Sequence, residues 1–333
     1  MHRLPLFLCL AFVPGFTRTG RADDVALASR RVRLTYTAEV RDVPADARLV
    51  GLWVPFPPDD EDQQISNIVV RSDVPTSVNR DEEYGNRVLS LEIERPDGRL
   101  PRLALQFDVI RRERKNARAA EGRPAARPAR EETVSDRWLA RDRLVPIDGK
   151  VLVLAQKVTM GSTSRLEEVR AIYDHTVSTL TYDKSGTGWG RGDVLYACDA
   201  KRGNCTDFHA VFIGLCRARG IPARFEIGFS IPTDADSGDI AGYHCWADCY
   251  LPGYGWIPVD CSEAQKHPER RDYFFGSQDA DRVSFSTGRD IKLAPAQLGE
   301  RLNYFIYPYA EVDGRPHEKI DRKIRYENLE LKP

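Results

Sequence analysis

Cys205 stands directly ahead of an apolar series at helical spacing, Phe208, Val211, Phe212, Leu215 and Ala218, which Gly220 and Pro222 bring to a stop. A cysteine in the first turn of a helix meets unpaired backbone N–H groups and the positive end of the helix dipole. Both favour the thiolate, and the same N–H groups can hold the oxyanion that forms when sulfur attacks a carbonyl. Such a nucleophile needs a base, and His175, His209, His244 and His267 are the candidates. His209, one turn beyond Cys205, lies along the helix rather than over its end, which suits a packing or hydrogen-bonding residue. His244 opens a strand-like run to Tyr250, and the run from Trp256 to Asp260 returns across Leu-Pro-Gly-Tyr-Gly as a hairpin. Base and acid then reach the same end of a sheet, the nucleophile, base and orienter pattern of a cysteine triad.

Hairpin register decides whether that triad can form. A four-residue loop, 252–255, would pair Asp260 with Ala247 and turn it away from His244. A five-residue loop, 251–255, pairs Tyr250 with Trp256 and Asp260 with Trp246. Asp260 then shares a face with His244 at a diagonal spacing of about 7–8 Å. The five-residue register is the expectation. It also sets Cys245 across from Cys261, with Cβ atoms about 4.5–5.5 Å apart where disulfides prefer about 3.8 Å. A strained bridge and a pair of reduced, buried thiols are the two readings. Cys245 and Cys249, about 13 Å apart along one strand, cannot bridge.

The surrounding elements point to an α+β chain. Ser164-x-x-Glu167 forms a capping box ahead of Leu166, Val169, Ile172, Tyr173, Val177 and Leu180, a second amphipathic helix. Ala223, Phe225, Ile227, Phe229 and Ile231 alternate as a half-buried strand. Helices followed by antiparallel strands predict an α+β catalytic domain over 134–333, with its core at 164–275 and a strand-rich extension at 276–333 that closes it. The aromatic-rich stretch from Asp272 to Pro308 reads as further sheet closing that domain or as a substrate-binding surface. From Val32 to Arg112 short alternating runs between Pro, Gly, Asp and Asn predict an antiparallel β-sandwich at 23–113. The Arg/Ala/Pro-rich stretch 114–133 lacks periodicity and is expected to be a linker or exposed loop.

Four segments carry a resemblance: Gly203-Asn-Cys205-Thr-Asp207-Phe, Arg219-Gly-Ile-Pro-Ala-Arg224, His244-Cys-Trp-Ala-Asp248-Cys-Tyr and Gly255-Trp-Ile-Pro-Val-Asp260. In this order they resemble the bacterial transglutaminase-like domain of the papain-like cysteine peptidase superfamily. The resemblance implies Cys205 as nucleophile on a helix N-terminus and His244 and Asp260 as general base and orienter on an antiparallel sheet. It also implies a thioester intermediate and no cofactor, and it fits a preceding β-sandwich. Trp189 is the candidate for the oxyanion-holding tryptophan of animal relatives. Their calcium loops have no counterpart, since Asp234, Asp236 and Asp239 lack the remaining ligands and read as a solvated loop. Cys198, Cys205, His209, Cys245 and Cys249 could ligate zinc, but no Cys-x-x-Cys pair exists and no metal is expected. Asn204 and Asp207 read as a helix cap and a complement to the dipole.

A formal charge of −1 over 333 residues gives no electrostatic footprint for nucleic acid. Residues 1–22 have a basic start at His2 and Arg3, an apolar run from Leu4 to Phe16, and small residues at Gly20 and Ala22. This is the layout of a signal peptide, with an uncleaved anchor as the other reading. Its removal leaves no stable membrane span and implies export to the periplasm or the extracellular space. The expected function is an exported cysteine-dependent enzyme acting on peptide or side-chain amide bonds through a thioester. Hydrolysis is favoured over transfer to an amine, so the partners are a protein or peptide substrate and, for transfer, an amine co-substrate. A non-catalytic transglutaminase-like scaffold is the alternative, and the intact Cys, His and Asp argue against it.

Overall fold

The computed structural model describes residues 27–125 and 134–331. The expected leader at 1–22 and the last part of the expected linker, 126–133, lie outside the described residues. In chain order the first half holds β1 (Ser29–Val40), β2 (Leu49–Phe56), β3 (Gln63–Ser72), β4 (Ser77–Arg80), β5 (Arg87–Glu94), β6 (Arg102–Arg112), β7 (Arg114–Lys115) and α1 (Ala117–Glu121). Then come α2 (Gly149–Val158), α3 (Arg165–Thr179), β8 (Thr181–Tyr182), α4 (Val194–Ala200), β9 (Arg202–Gly203) and α5 (Cys205–Ala218). The hairpin region follows with β10 (Ala223–Ser230), β11 (Ser237–Asp239), β12 (His244–Leu251), β13 (Gly255–Val259) and α6 (Cys261–Lys266). The remaining strands are β14 (Ser277–Gln278), β15 (Arg282–Thr287), β16 (Tyr309–Val312), β17 (Arg315–Pro316) and β18 (Ile320–Leu329).

The runs that alternate in the sequence are strands because alternation buries one face. Along β1, Val32, Leu34, Tyr36, Ala38 and Val40 are buried and the residues between them are half-exposed. Two five-stranded antiparallel sheets, ordered β11-β18-β1-β6-β3 and β17-β16-β2-β5-β4, share one core and form the sandwich. The catalytic sheet is β13-β12-β10-β15, with α5 packed on it and α2, α3, α4 and α6 around α5.

Two expectations about the chain's organisation differ from what the fold shows. Residues 276–333, expected to close the catalytic domain, divide between both units. β15 does extend the catalytic sheet beside β10, but β16 pairs with β2 and β18 pairs with β1 along Arg31↔Leu329 to Val40↔Ile320. In β18 only Ile324 and Tyr326 are buried between charged neighbours, which suits a strand laid over a sandwich. Residues 114–125, expected to be linker or loop, are anchored. Arg114 bonds the Asp248 carboxylate at 3.0 and 3.2 Å, β7 pairs with β14, and the Asn116 amide donates to the Tyr254 and Trp256 carbonyls. A two-residue strand and a five-residue helix are too short to show a period.

Candidate active site

α5 is buried from Cys205 to Arg217, so its first residue opens the site at the end of the molecule's most enclosed helix. Asn204 caps it: its side chain accepts from the Thr206 amide at 2.9 Å. The Asp207 amide is taken by the Asn204 carbonyl, and the Cys205 N–H belongs to the first turn, whose amides have no partner within the helix. The ladder β12–β13 pairs Tyr250 with Trp256 and Ala247 with Val259, the register expected from the five-residue loop. Leu251 and Gly255 pair as well, which shortens the turn to 252–254. Alternation along β12 points Cys245, Ala247 and Cys249 to the α5 side and Trp246 and Asp248 to the other, while His244 at the strand's start reaches the head of α5.

Asp260 leaves the ladder one residue after Val259 and becomes the N-cap of α6. Its Oδ2 accepts from His244 Nε2 at 2.7 Å, and its Oδ1 from the Glu263 amide at 2.9 Å and the Ser262 hydroxyl at 3.0 Å. With Nε2 held by Asp260, Nδ1 is the His244 nitrogen left for Cys205. Only 2%, 6% and 3% of Cys205, His244 and Asp260 is exposed, so their charges interact in a low-dielectric setting. Burial alone would pull the His244 imidazole down, but the Asp260 charge outweighs it and raises His244 to about 9. A hydrogen bond from Cys245 and, against burial, the hydrogen bond and charge of His244 hold the Cys205 thiol well below its ordinary range. Burial pushes Asp260 up, yet the His244 charge brings it well below the carboxylate range. A thiolate can attack a carbonyl carbon, and the imidazolium beside it can then give its proton to the leaving amine.

Other residues of the site carry no sequence period. The Asp207 carboxylate accepts from the Gly190, Gly192 and Asn204 amides at 2.6, 2.9 and 2.9 Å, tying the glycine-rich loop 186–192 to α5. A Cβ at Gly203 would fall on that carboxylate, which accounts for the glycine ahead of Asn204 and Cys205. Arg289 grips the same loop through the Gly192 and Arg191 carbonyls at 2.9 and 2.8 Å. The Tyr243 hydroxyl meets Thr206 Oγ1 at 2.8 Å and accepts from the Asn204 amide at 3.1 Å. The repeated glycines at 186, 188, 190 and 192 were the available sequence signal for a backbone clamp. Trp189, the sequence candidate for the oxyanion, donates its indole N–H to Gly186 O at 3.2 Å within its own loop.

The six described cysteines are free. Cys261 sits at the head of α6, beyond the ladder, so it does not pair across from Cys245 in the sheet. His209 is the residue on which the two converge. Cys245 Sγ lies 3.7 Å from His209 Nδ1, and the Cys261 amide donates to His209 Nε2 at 3.1 Å. Of the five residues weighed as zinc ligands, Cys245 lies beside His209 and Cys205, but the five do not form one group at ligand spacing. Among the described residues, His244, Asp260 and Glu263 form the one group at ligand spacing. The Arg282 guanidinium lies 3.9 and 3.8 Å from those two carboxylates and supplies a positive charge there.

Residues 153–261 match the family model of the transglutaminase-like superfamily. This chain carries a transglutaminase-like domain. Over 317 residues the chain is 28% identical to an uncharacterized protein of Haemophilus influenzae, covering 85% of this chain and 86% of that protein. A 152-residue stretch is 26% identical to the uncharacterized protein YebA of Bacillus subtilis, 41% of this chain and 20% of YebA. The solved structure of a cysteine protease candidate from Cytophaga hutchinsonii aligns over 92% of both chains with a TM-score of 0.59 at 17% identity, a likeness of fold. Both the transglutaminase-like domain and the sandwich take part in that likeness, since the alignment spans nearly the whole chain. No helix among the described residues is long and apolar enough to cross a membrane.

Proposed function

We propose that this protein is an exported cysteine-dependent amide hydrolase, a peptidase or amidase that works through a thioester. The observation that carries the reading is the buried His244–Asp260 pair, 2.7 Å between Nε2 and Oδ2, beside a thiol that its surroundings hold well below the ordinary range. In the proposed reaction the Cys205 thiolate adds to the amide carbon. His244 protonates the departing amine, and the Cys205 N–H meets the oxyanion. Water, deprotonated by His244, then opens the thioester. Transfer to an amine would use the same thioester. Hydrolysis is favoured because it requires no second substrate site. Export is inferred from the leader-like composition of residues 1–22.

Incubating the protein with a peptide library and a labelled amine tests the reading. Cleaved peptides without amine incorporation, lost in Cys205→Ala, are expected. Incorporated label would make the protein an acyltransferase, and turnover retained in Cys205→Ala would end the cysteine mechanism.

A further inference from the structure

His209 takes no part in that chemistry, yet its side chain is fully enclosed. Its ring spans the two helix starts of the site. Nδ1 lies 2.7 Å from the carbonyl oxygen of Cys205, the first residue of α5, and Nε2 lies 3.1 Å from the amide nitrogen of Cys261, the first residue of α6. Both partners are backbone groups of fixed polarity, because a carbonyl only accepts and an amide N–H only donates. Nδ1 must therefore carry the proton and Nε2 must offer its lone pair, which defines a neutral tautomer. The titratable groups around the ring are the Cys245 thiol on β12, 3.7 Å from Nδ1, Asp260 Oδ1 at the head of α6, 3.5 Å from Nε2, and the Cys205 thiol at the head of α5, within electrostatic reach of the ring. Tyr173 on α3 directs its hydroxyl to the Arg271 carbonyl instead.

We propose that His209 is a positioning residue, a strut of two hydrogen bonds that fixes the separation between the nucleophile at the head of α5 and the orienter at the head of α6. The proposal rests on the reading of Cys205 as nucleophile. Asp260 directly precedes Cys261, so holding the Cys261 amide holds the backbone that carries the orienter. With its lone pair aimed at the Cys261 N–H, His209 has none to offer a thiol. His244 is thereby left as the base. Reaction rates are steep in such separations, and a displacement of about 1 Å can cost on the order of 100-fold.

His209→Gln and His209→Leu in the full chain test the strut. Glutamine supplies one donor and one acceptor in a plane and cannot take up charge, whereas leucine supplies neither. Two readouts are needed: the rate of Cys205 alkylation by iodoacetamide across pH, and kcat and KM for a peptide cleaved by the wild type. His209→Gln should keep the wild-type pH profile and a kcat within about threefold. His209→Leu should lower kcat by about tenfold or more at unchanged KM and move the alkylation inflection upward. A glutamine variant as impaired as the leucine variant, or with a displaced inflection, would make His209 a titrating group and overturn the proposal. Wild-type kcat in His209→Leu would overturn it too, and if that variant does not fold, the glutamine variant decides alone. Failure of the underlying reading looks different: wild-type Cys205 would alkylate no faster than an ordinary thiol.

Discussion

The Asp260 carboxylate holds His244 Nε2 at 2.7 Å through one oxygen and begins α6 with the other. The proposed orienter is thus fixed by a helix cap, and its direction is set by backbone rather than by side-chain packing. Asp260→Asn keeps an acceptor and a good cap but removes the charge that raises His244 to about 9. His244 is protonated below that value and loses its proton above it, so general-acid function disappears as pH rises through about 9. In the variant that alkaline limb should move down by about one pH unit or more, with kcat/KM reduced about 10- to 100-fold, and stability should fall by about 1–3 kcal/mol because the amide NH2 replaces an oxygen that accepts from a buried donor. A pH–rate profile measures the limb. A limb that stays in place would remove Asp260 from the orienter role.

Cys205 should be the one fast cysteine. Burial pushes the thiols of Cys216, Cys249 and Cys261 up, and burial with the Asp199 charge raises Cys198 to about 11. Iodoacetamide labelling with peptide mapping should therefore find Cys205 first, and should still find it well below the pH of about 8.5 at which a free thiol titrates. Cys245→Ala removes a hydrogen bond to the Cys205 sulfur and should shift that labelling towards higher pH. Equal labelling of several cysteines in the folded protein would contradict the assignment.

Asp207→Asn should loosen loop 186–192. An amide can present one oxygen, but its NH2 group would face an N–H donor now met by the second carboxylate oxygen. Leaving a buried donor unmatched costs about 1–3 kcal/mol. Limited proteolysis should cut within 186–192 faster than in the wild type, and unchanged cutting would mean that Arg289 alone secures the loop.

Arg114→Met tests the tie between the sandwich and the catalytic sheet. Asp248 has no exposed surface and, against the push of burial, Arg114 and Arg224 hold its carboxyl at about 2. Because its folded value is depressed, the stabilisation is present above about pH 4 and is lost as pH falls towards 2. The variant should lose about 3 kcal/mol at neutral pH and show a weaker acid dependence, both measurable by denaturant unfolding.

The hairpin was legible because side-chain direction in a strand depends only on parity. Once Tyr250 faced Trp256, the direction in which Asp260 leaves the sheet was determined. The helix start at Cys205 was legible from its apolar spacing and its stop at Gly220. Asp207 was not. Its acidic side chain at the third helical position suits the dipole, and nothing in the spacing says that loop 186–192 returns to it. The sequence reads His209 as a packing or hydrogen-bonding residue, but its partners are backbone atoms of Cys205 and Cys261, and backbone atoms leave no mark on residue identity. The partners of β16 and β18 were hidden for a related reason: alternation reports that a strand has a buried face without reporting which strand lies beside it.

The pairing of β1 with β18 gives the protein an order of events. Arg31 meets Leu329 and Val40 meets Ile320, so the central strand of one sandwich sheet waits for residues at the far end of the chain. Closing so long a loop is entropically costly and slow, and synthesis delivers β18 well after β1. The amino-terminal strands therefore travel through synthesis without their neighbour, as an incomplete sheet. A polypeptide built this way completes its central sheet only once β18 has been made, so the sandwich that packs beside the Cys205 domain is finished late in folding.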